Sequence, residues 1–513
     1  MIHKIRLASG FFTVGIWTLG SKVLGFVRDI MIAAAMGSGP MAQAFLIAFA
    51  LPNMFRRFFA EGAFNTAFVP MFSKKVEAQD KPEDFAREAF SGLASIVLAT
   101  VLLGQIFMPF LVLAMASGFA DDARFALTVD YGRIVFPYIL FISLAALLSG
   151  VLNALGRFAA AAAAPVLLNI ILVAAMYLAQ IMGWEVGEAL SWAVPLAGVA
   201  QMALVWWAAH KAGITLLPRR PRLSPEMKRL AIIAFPAALA GGVVQVNLLV
   251  GRQVASYFDG AVAWLSYADR LYQLPLGVVG IAIGVVLLPD LSRRLRARDE
   301  AGGNHSLNRA AEFSLALTLP SAVALMVIPY ALVSVLFQRG AFDAVDTANT
   351  ALAVAIYGAG LPSFVLAKVL APLFFAREDT KTPFRFALVS MVVNAALAIG
   401  LAPYIGYLAA AIGTSVAGWS MLILLWLGSK KLGAAAAIDP RLRAKAPRIL
   451  LSSALMGGVL WGAAILLEPW LFGSSLRYGA LGLLVGIGMA SYAGAAMLTG
   501  AFRLSELRAM LRR

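Results

Sequence analysis

Six ionisable side chains, Lys22, Arg28, Asp29, Arg56, Arg57 and Glu61, sit in the stretch SKVLGFVRDIMIAAAMGSGPMAQAFLIAFALPNMFRRFFAEGAFNTAFVP (21–70), which is otherwise dominated by Leu, Ile, Phe, Val, Met and Ala. Such groups in hydrocarbon cost several kcal/mol apiece unless they face water or a partner. Ser21 and Arg28 lie seven apart and share a helical face, as do Lys22 and Asp29, while Arg57 and Glu61 stand at i and i+4. A later apolar run holds Asp269 next to Arg270. Lys22–Asp29 and Arg57–Glu61 read equally well as internal salt bridges that brace the structure. Bracing does not account for the whole set. Five cations (Lys22, Arg28, Arg56, Arg57, Arg270) outnumber three acids (Asp29, Glu61, Asp269), and the excess calls for an anionic ligand in a water-filled cavity. The planar guanidinium fork matches phosphate oxygens two at a time, so phosphate or diphosphate is the natural candidate.

The elements that must hold these residues are membrane-spanning helices. Of 513 residues, 61% are hydrophobic and 13% charged, which excludes an ordinary soluble protein. The apolar runs have helical length, roughly 20 residues or more, rather than the short alternating strands of an outer-membrane barrel. The expected fold is an all-α polytopic membrane protein. About fourteen spans are predicted, near 8–36, 41–73, 90–118, 125–155, 159–183, 187–210, 230–257, 261–292, 309–338, 347–375, 383–403, 406–429, 449–467 and 476–502. Loops on the amino-terminal side hold 31 of the 42 cations and the opposite loops three, Arg124, Arg339 and Arg477. The positive-inside rule then puts both termini in the cytoplasm. The net charge of +16 is therefore mostly a topology signal and not a nucleic-acid footprint. The first apolar run exceeds a signal-peptide core and carries charges, so it is expected to be a retained helix.

Loop 213–229, with Pro218, Pro221 and Pro225, divides the chain into an N-lobe (1–212, spans one to six) and a C-lobe (230–430, spans seven to twelve), followed by 431–513 with spans thirteen and fourteen. Val69-Pro70-Met71-Phe72-Ser73-Lys74-Lys75 after Leu51-Pro52 resembles Leu288-Pro289-Asp290-Leu291-Ser292-Arg293-Arg294 after Leu274-Pro275. That match predicts a parallel duplication about the membrane normal. Gly10, Gly15, Gly20 and Gly25 punctuate span one, compatible with small-residue packing or with a bend near Gly20 to Gly25. Arg133, Arg252 and Lys368 lie near span ends and read as snorkelling anchors. Asn247 and Asn394 are intramembrane polar groups with no assigned role.

SKVLGFVRDIMIAAAMGSG, AFLIAFALPNMFRRFFAEGAFNTAFVPMF, FPYILFISLAALLSGVLNALGRFAAAAAAPVLLNI and SYADRLYQLPLGVVGIAIGVVLLPDLS together resemble the hallmark segments of the MurJ (MviN) family of lipid II flippases, in the MOP exporter superfamily. The resemblance implies two six-helix lobes around a central cationic cavity, with two last helices forming a hydrophobic groove for a polyprenyl tail. It implies alternating access that moves an undecaprenyl-diphosphate-linked peptidoglycan precursor, lipid II, from the cytoplasmic to the outer leaflet of the bacterial inner membrane for cell-wall biosynthesis. Arg28, Asp29, Arg56 and Arg270 match positions used in the family's cavity, with Ser21 and Glu61 as their neighbours. On that basis Arg28, Arg56 and Arg270 are expected to bind the diphosphate, and Ser21, Lys22, Asp29, Arg57, Glu61 and Asp269 to support or gate it. Two departures stand out: Lys22 replaces the Arg of many relatives, and Gln43 replaces an acid before Ala-Phe.

The chain reads as a transporter and not an enzyme. It has no Cys, its three His lie in or beside polar segments, and it has no G-x-x-x-x-G-K-[ST] loop. No cofactor or metal is expected, and membrane potential or an ion gradient is the expected driving force. The expected partners are lipid II and membrane lipids, with no nucleic acid, around a monomer. Two other readings stand beside this one: an exporter of drugs or of another polyprenyl-linked saccharide, and a polyprenyl-phosphate transferase. The first is disfavoured for cationic drugs because cations outnumber acids in the spans. The second is disfavoured by the short loops and the lack of acid clusters.

Overall fold

The computed structural model describes residues 2–56, 63–282, 287–297, 299–473 and 475–502, nearly all of them helical. The helices are α1 (Ile2–Met36), α2 (Pro40–Arg56), α3 (Ala63–Ala78), α4 (Pro82–Ile106), α5 (Met108–Ala116), α6 (Ala123–Val135), α7 (Tyr138–Ala154), α8 (Ala159–Met182), α9 (Val186–Lys211) and α10 (Pro225–Ala255). There follow α11 (Ala261–Ala282), α12 (Leu288–Arg296), α13 (Glu300–Val327), α14 (Pro329–Phe337), α15 (Ala344–Phe375), α16 (Lys381–Ile405), α17 (Leu408–Ser429), α18 (Pro440–Leu471) and α19 (Arg477–Leu498). Among the described residues, ten helical segments are long and apolar enough to cross a membrane. Those ten hold spans three to six and nine to fourteen of the expected set. The other four expected spans fall on α1, α2 with α3, α10, and α11 with α12; Ser21, Lys22, Arg28 and Asp29 lie in α1, Arg56 in α2, and Asp269 and Arg270 in α11. At about 1.5 Å per residue, α1 alone is longer than the roughly 30 Å hydrocarbon layer.

The chain forms two compact units, Met1–Ala263 and Trp264–Arg513. In the first, α1 packs on α8, α8 and α7 on α9, and α2 on α6. Phe68 stacks between Phe72 and Phe85 at 5.5 and 5.6 Å, filling the space where α3 meets α4. Buried polar groups there are matched to partners: Tyr138 donates to Gln201 at 3.1 Å, and Gln201 donates to the Ala164 carbonyl at 2.9 Å.

The expected linker 213–229 is strapped onto α4. Arg87 donates to the Thr215 carbonyl, the Arg219 amide to Ser91, and Ser224 to Glu88. Helix α10, expected at the start of the second lobe, packs here on α3, α4 and α5. Lys75 of α3 pairs with Glu226 at 2.7 Å and Asp80 at 2.9 Å, and Glu226 foremost holds the ammonium above its usual pKa. At the other end Gln253 donates to the Leu113 carbonyl, and the Gly118 amide donates to Ser256. A Cβ on Gly118 would meet the Ser256 backbone at 2.5 Å, so only glycine allows this approach. These ties explain why the division between the units falls after α10.

In the second unit α15 and α16 pack on α17, and α13 on α15. Helices α18 and α19 lie against each other and against α13 and α14, around Ile328, Val335, Met456, Leu460 and Leu484.

The duplication anticipated from the proline motifs has counterparts in both units. Pro52 and Pro70 lie inside α2 and α3, and Pro275 inside α11 and Pro289 in α12. A proline at the start of the following helix breaks α4 from α5 at Phe107 and α13 from α14 at Ile328. Asp122 caps α6 and Asp343 caps α15, each by accepting a backbone N–H. Lys211 lies 3.9 Å from the Trp207 ring at the end of α9, and Lys430 lies 4.0 Å from Trp426 after α17.

Candidate functional site

Helix α1 runs as one helical element through Ser21, Lys22, Arg28 and Asp29. Arg28 and Asp29 are both 6% exposed. Neighbours in sequence do not ordinarily face each other on a helix, yet here the guanidinium folds round. Nε and Nη2 donate to Asp29 Oδ1 at 2.9 and 2.7 Å. The partner Asp29 takes from within α1 is thus Arg28, whereas Lys22, placed on the same face by its spacing, is exposed. Phe49 of α2 lies 5.7 Å from the guanidinium carbon.

A residue that the sequence reading did not single out completes this arrangement. Asn169, near the middle of α8 and 5% exposed, accepts from Arg28 Nη1 at 2.9 Å. Its Nδ2 donates to the Ser21 carbonyl at 2.9 Å and, at 3.4 Å, to the Ser21 hydroxyl, so Ser21 participates mainly through its main chain. Gly25 faces Asn169: a Cβ there would lie 3.5 Å from its amide, an ordinary van der Waals contact. The signal was present as an isolated amide in the apolar run Val166-Leu167-Leu168-Asn169-Ile170-Ile171-Leu172.

A guanidinium has five N–H donors. Asp29 and Asn169 engage three, which leaves two among the described residues, one on each terminal nitrogen of a nearly buried side chain. Two adjacent donors suit bidentate capture of a phosphate or carboxylate.

Arg56 ends α2 and is partly buried. Arg57 and Glu61 lie outside the described residues, as does the side chain of Asn247. Asp269 and Arg270 lie in α11 in the second unit, both partly buried, and Gln273 donates to Asp269. Arg133 and Lys368 are exposed, as anchors would be, and Arg252 is partly buried. Asn394 is 1% exposed and packs closely against Gly413 of α17.

Gln43 turns out to have a specific partner. It is 2% exposed, donates to the Ser38 carbonyl at 3.1 Å and accepts from Arg124 Nη1 at 3.2 Å. Arg124, expected to be a simple loop cation, is instead 7% exposed and holds Asp122 through Nε and Nη2 at 2.8 and 2.5 Å. It also reaches Asp259 at 3.2 Å and lies 4.4 Å from the Phe119 ring. The Arg124 guanidinium holds the Asp122 carboxyl below its usual range. With two carboxylates already on Arg124, an uncharged acceptor at position 43 suffices.

A second cluster lies in the other unit. Glu312 of α13, 6% exposed, accepts from Arg309, from Arg441 at 3.1 Å and from Lys445 at 2.8 Å, while Arg309 also pairs with Asp439. Cations expected to be interfacial anchors therefore fasten α18 to α13. Among the described residues no group of His, Cys, Asp and Glu could hold a metal ion.

Residues 32–481 match the family model described as lipid II flippase MurJ. A protein of Rhizobium tropici named probable lipid II flippase MurJ is 45% identical over 519 residues, covering 99% of this chain and 97% of its own. The lipid II flippase MurJ of Burkholderia cenocepacia is 37% identical over 441 residues, 84% of this chain and 85% of that one. Among solved structures, a lipid II flippase MurJ in an inward closed conformation superposes with a TM-score of 0.80 at 24% identity, covering 94% of this chain and 98% of that chain. An inward-facing multidrug resistance MATE transporter of the MOP superfamily gives 0.69 at 15% identity, with 81% and 95% covered. Those two superpositions bear on the fold.

Proposed function

This chain belongs to the lipid II flippase MurJ family, and on that premise we propose that it moves lipid II from the cytoplasmic to the outer leaflet of the inner membrane by alternating access. The observation that carries the chemistry is Arg28: a buried guanidinium, oriented by Asp29 and Asn169, with two N–H groups left for an anion. A diphosphate linked to a saccharide and a polyprenyl chain presents such oxygens. Desolvated arginine binds them with charge-assisted bonds roughly twice as strong as neutral ones.

In this reading Arg28, Arg56 and Arg270 hold the diphosphate, with Ser21, Lys22, Asp29, Arg57, Glu61 and Asp269 in support, while the tail stays in lipid along α18 and α19. Fourteen spans with both termini cytoplasmic complete the topology. The protein works as a monomer with no cofactor, driven by membrane potential or an ion gradient, and carries out no bond-making chemistry. Export of cationic drugs is disfavoured, because it would need acids in excess where cations predominate.

Arg28→Ala, Arg56→Ala and Arg270→Ala are each expected to abolish rescue of a flippase-depleted strain, with membrane levels of the protein intact. Normal rescue by all three would overturn the assignment.

A further inference from the structure

We infer that Asn169 is a positioning residue for the anion site, setting which face of the Arg28 guanidinium is offered to the ligand and tying that choice to the backbone of α1. The inference rests on the diphosphate reading of Arg28 given above.

The amide of Asn169 has only one sensible orientation. On one side lie the Ser21 carbonyl at 2.9 Å, the Ser21 hydroxyl at 3.4 Å and the Pro165 carbonyl at 3.4 Å. On the other lies Arg28 Nη1 at 2.9 Å. Turning the amide over would set oxygen against carbonyls and an NH₂ against a cation that can only donate. Nδ2 therefore faces α1 and its own helix, and Oδ1 faces Arg28.

The result is a two-point hold on the guanidinium. Asp29 fixes one edge through Nε and Nη2, and Asn169 fixes Nη1. Both bonds to Asp29 converge on the one oxygen Oδ1, so with Asp29 alone the planar guanidinium could still pivot about that oxygen, and the two remaining N–H groups would have no fixed aim. Affinity from a bidentate contact depends on that aim being set before binding. The residue is also suited electrically. A neutral amide accepts from Arg28 without adding a second negative charge beside Asp29, so attraction for an anion is not further reduced. Asn169 lies 141 residues from Arg28 in sequence, on α8. Any displacement of α1 along α8 at Ser21 must therefore also change the hold on Arg28.

Two substitutions separate positioning from packing. Asn169→Leu keeps volume and burial but removes the hydrogen bonds. Asn169→Asp keeps an acceptor but adds charge and removes the donor to Ser21. Lipid II binding to purified protein in detergent, read by native mass spectrometry, is expected to weaken about tenfold to a hundredfold in both. The melting temperature of at least Asn169→Asp should stay within a few degrees of wild type. Inorganic pyrophosphate should compete with lipid II in the wild type and lose potency in the variants. Wild-type affinity in either variant would overturn the inference, as would equal loss of binding and melting temperature in both. Arg28→Ala serves as the reference. Weakened binding in Arg28→Ala with none in Asn169→Leu removes only the role of Asn169, whereas unchanged binding in Arg28→Ala removes the diphosphate reading itself.

Discussion

On the proposed diphosphate reading, Arg28 would act through the geometry of its donors as well as its charge. Arg28→Lys keeps the charge but has no planar fork. It should therefore retain folding while lipid II affinity falls on the order of tenfold or more, measured by binding to the purified protein. Asp122 offers a test by pH. Its carboxyl is held below the ordinary 3.8 by Arg124. A group depressed in this way stabilises the fold fully above its unfolded pKa, and the contribution disappears as pH falls through the lowered value. Asn also caps helices well, so Asp122→Asn isolates the charge. The variant should be less stable by about 1 kcal/mol at neutral pH, a modest figure because Asp122 is 40% exposed and solvent screens the pair. The gap should begin to narrow below about pH 4 and close as pH falls through the lowered value, as followed by thermal unfolding at a series of pH values. At this scale the sequence made Arg28, Asp29 and Arg56 visible because charge in an apolar run is costly. It hid Asn169 and Arg124, since an amide is cheap enough to pass as packing and an arginine beside Asp121 and Asp122 passes as a loop.

Helices were legible where apolar length alone identifies them, and the proline breaks at Phe107 and Ile328 recur at corresponding places in the two units. What the pattern did not reveal is how the elements are fastened. Helix α18 is fixed to α13 through Glu312, where Arg309, Arg441 and Lys445 converge from both helices. Hydropathy places each of these cations near a span end and is silent about a shared acid. Glu312→Gln leaves three cations crowded round a neutral group. Loss of one partner from a buried ionic cluster typically costs about 3–5 kcal/mol; here the exposure of Arg441 should hold the loss to about 2–3 kcal/mol. Hydrogen exchange should quicken in the first turns of α18 before it changes in α16. Unchanged protection there would mean that apolar packing of α18 and α19 suffices without the cluster. Helix α10 carries a similar lesson. Its place in the first compact unit follows from Lys75–Glu226 and from Gln253 and Ser256, contacts that no loop count anticipates.

For the whole molecule, the positive-inside count predicts both termini on the cytoplasmic side. A reporter active only in the cytoplasm should be active when fused at either end, and activity at one end alone would contradict the topology. The transport cycle is most directly tested with labelled lipid II in sealed proteoliposomes. Membrane potential acts at about 2.3 kcal/mol per elementary charge per 100 mV, enough to bias a cationic site that changes its exposure. Wild-type protein is expected to move lipid II across the bilayer, with a rate that responds to an imposed potential or ion gradient. Arg28→Ala, incorporated to the same level, should be slower by on the order of a hundredfold. Equal rates for wild type and Arg28→Ala under matched potential would contradict the claim that Arg28 holds the diphosphate during translocation.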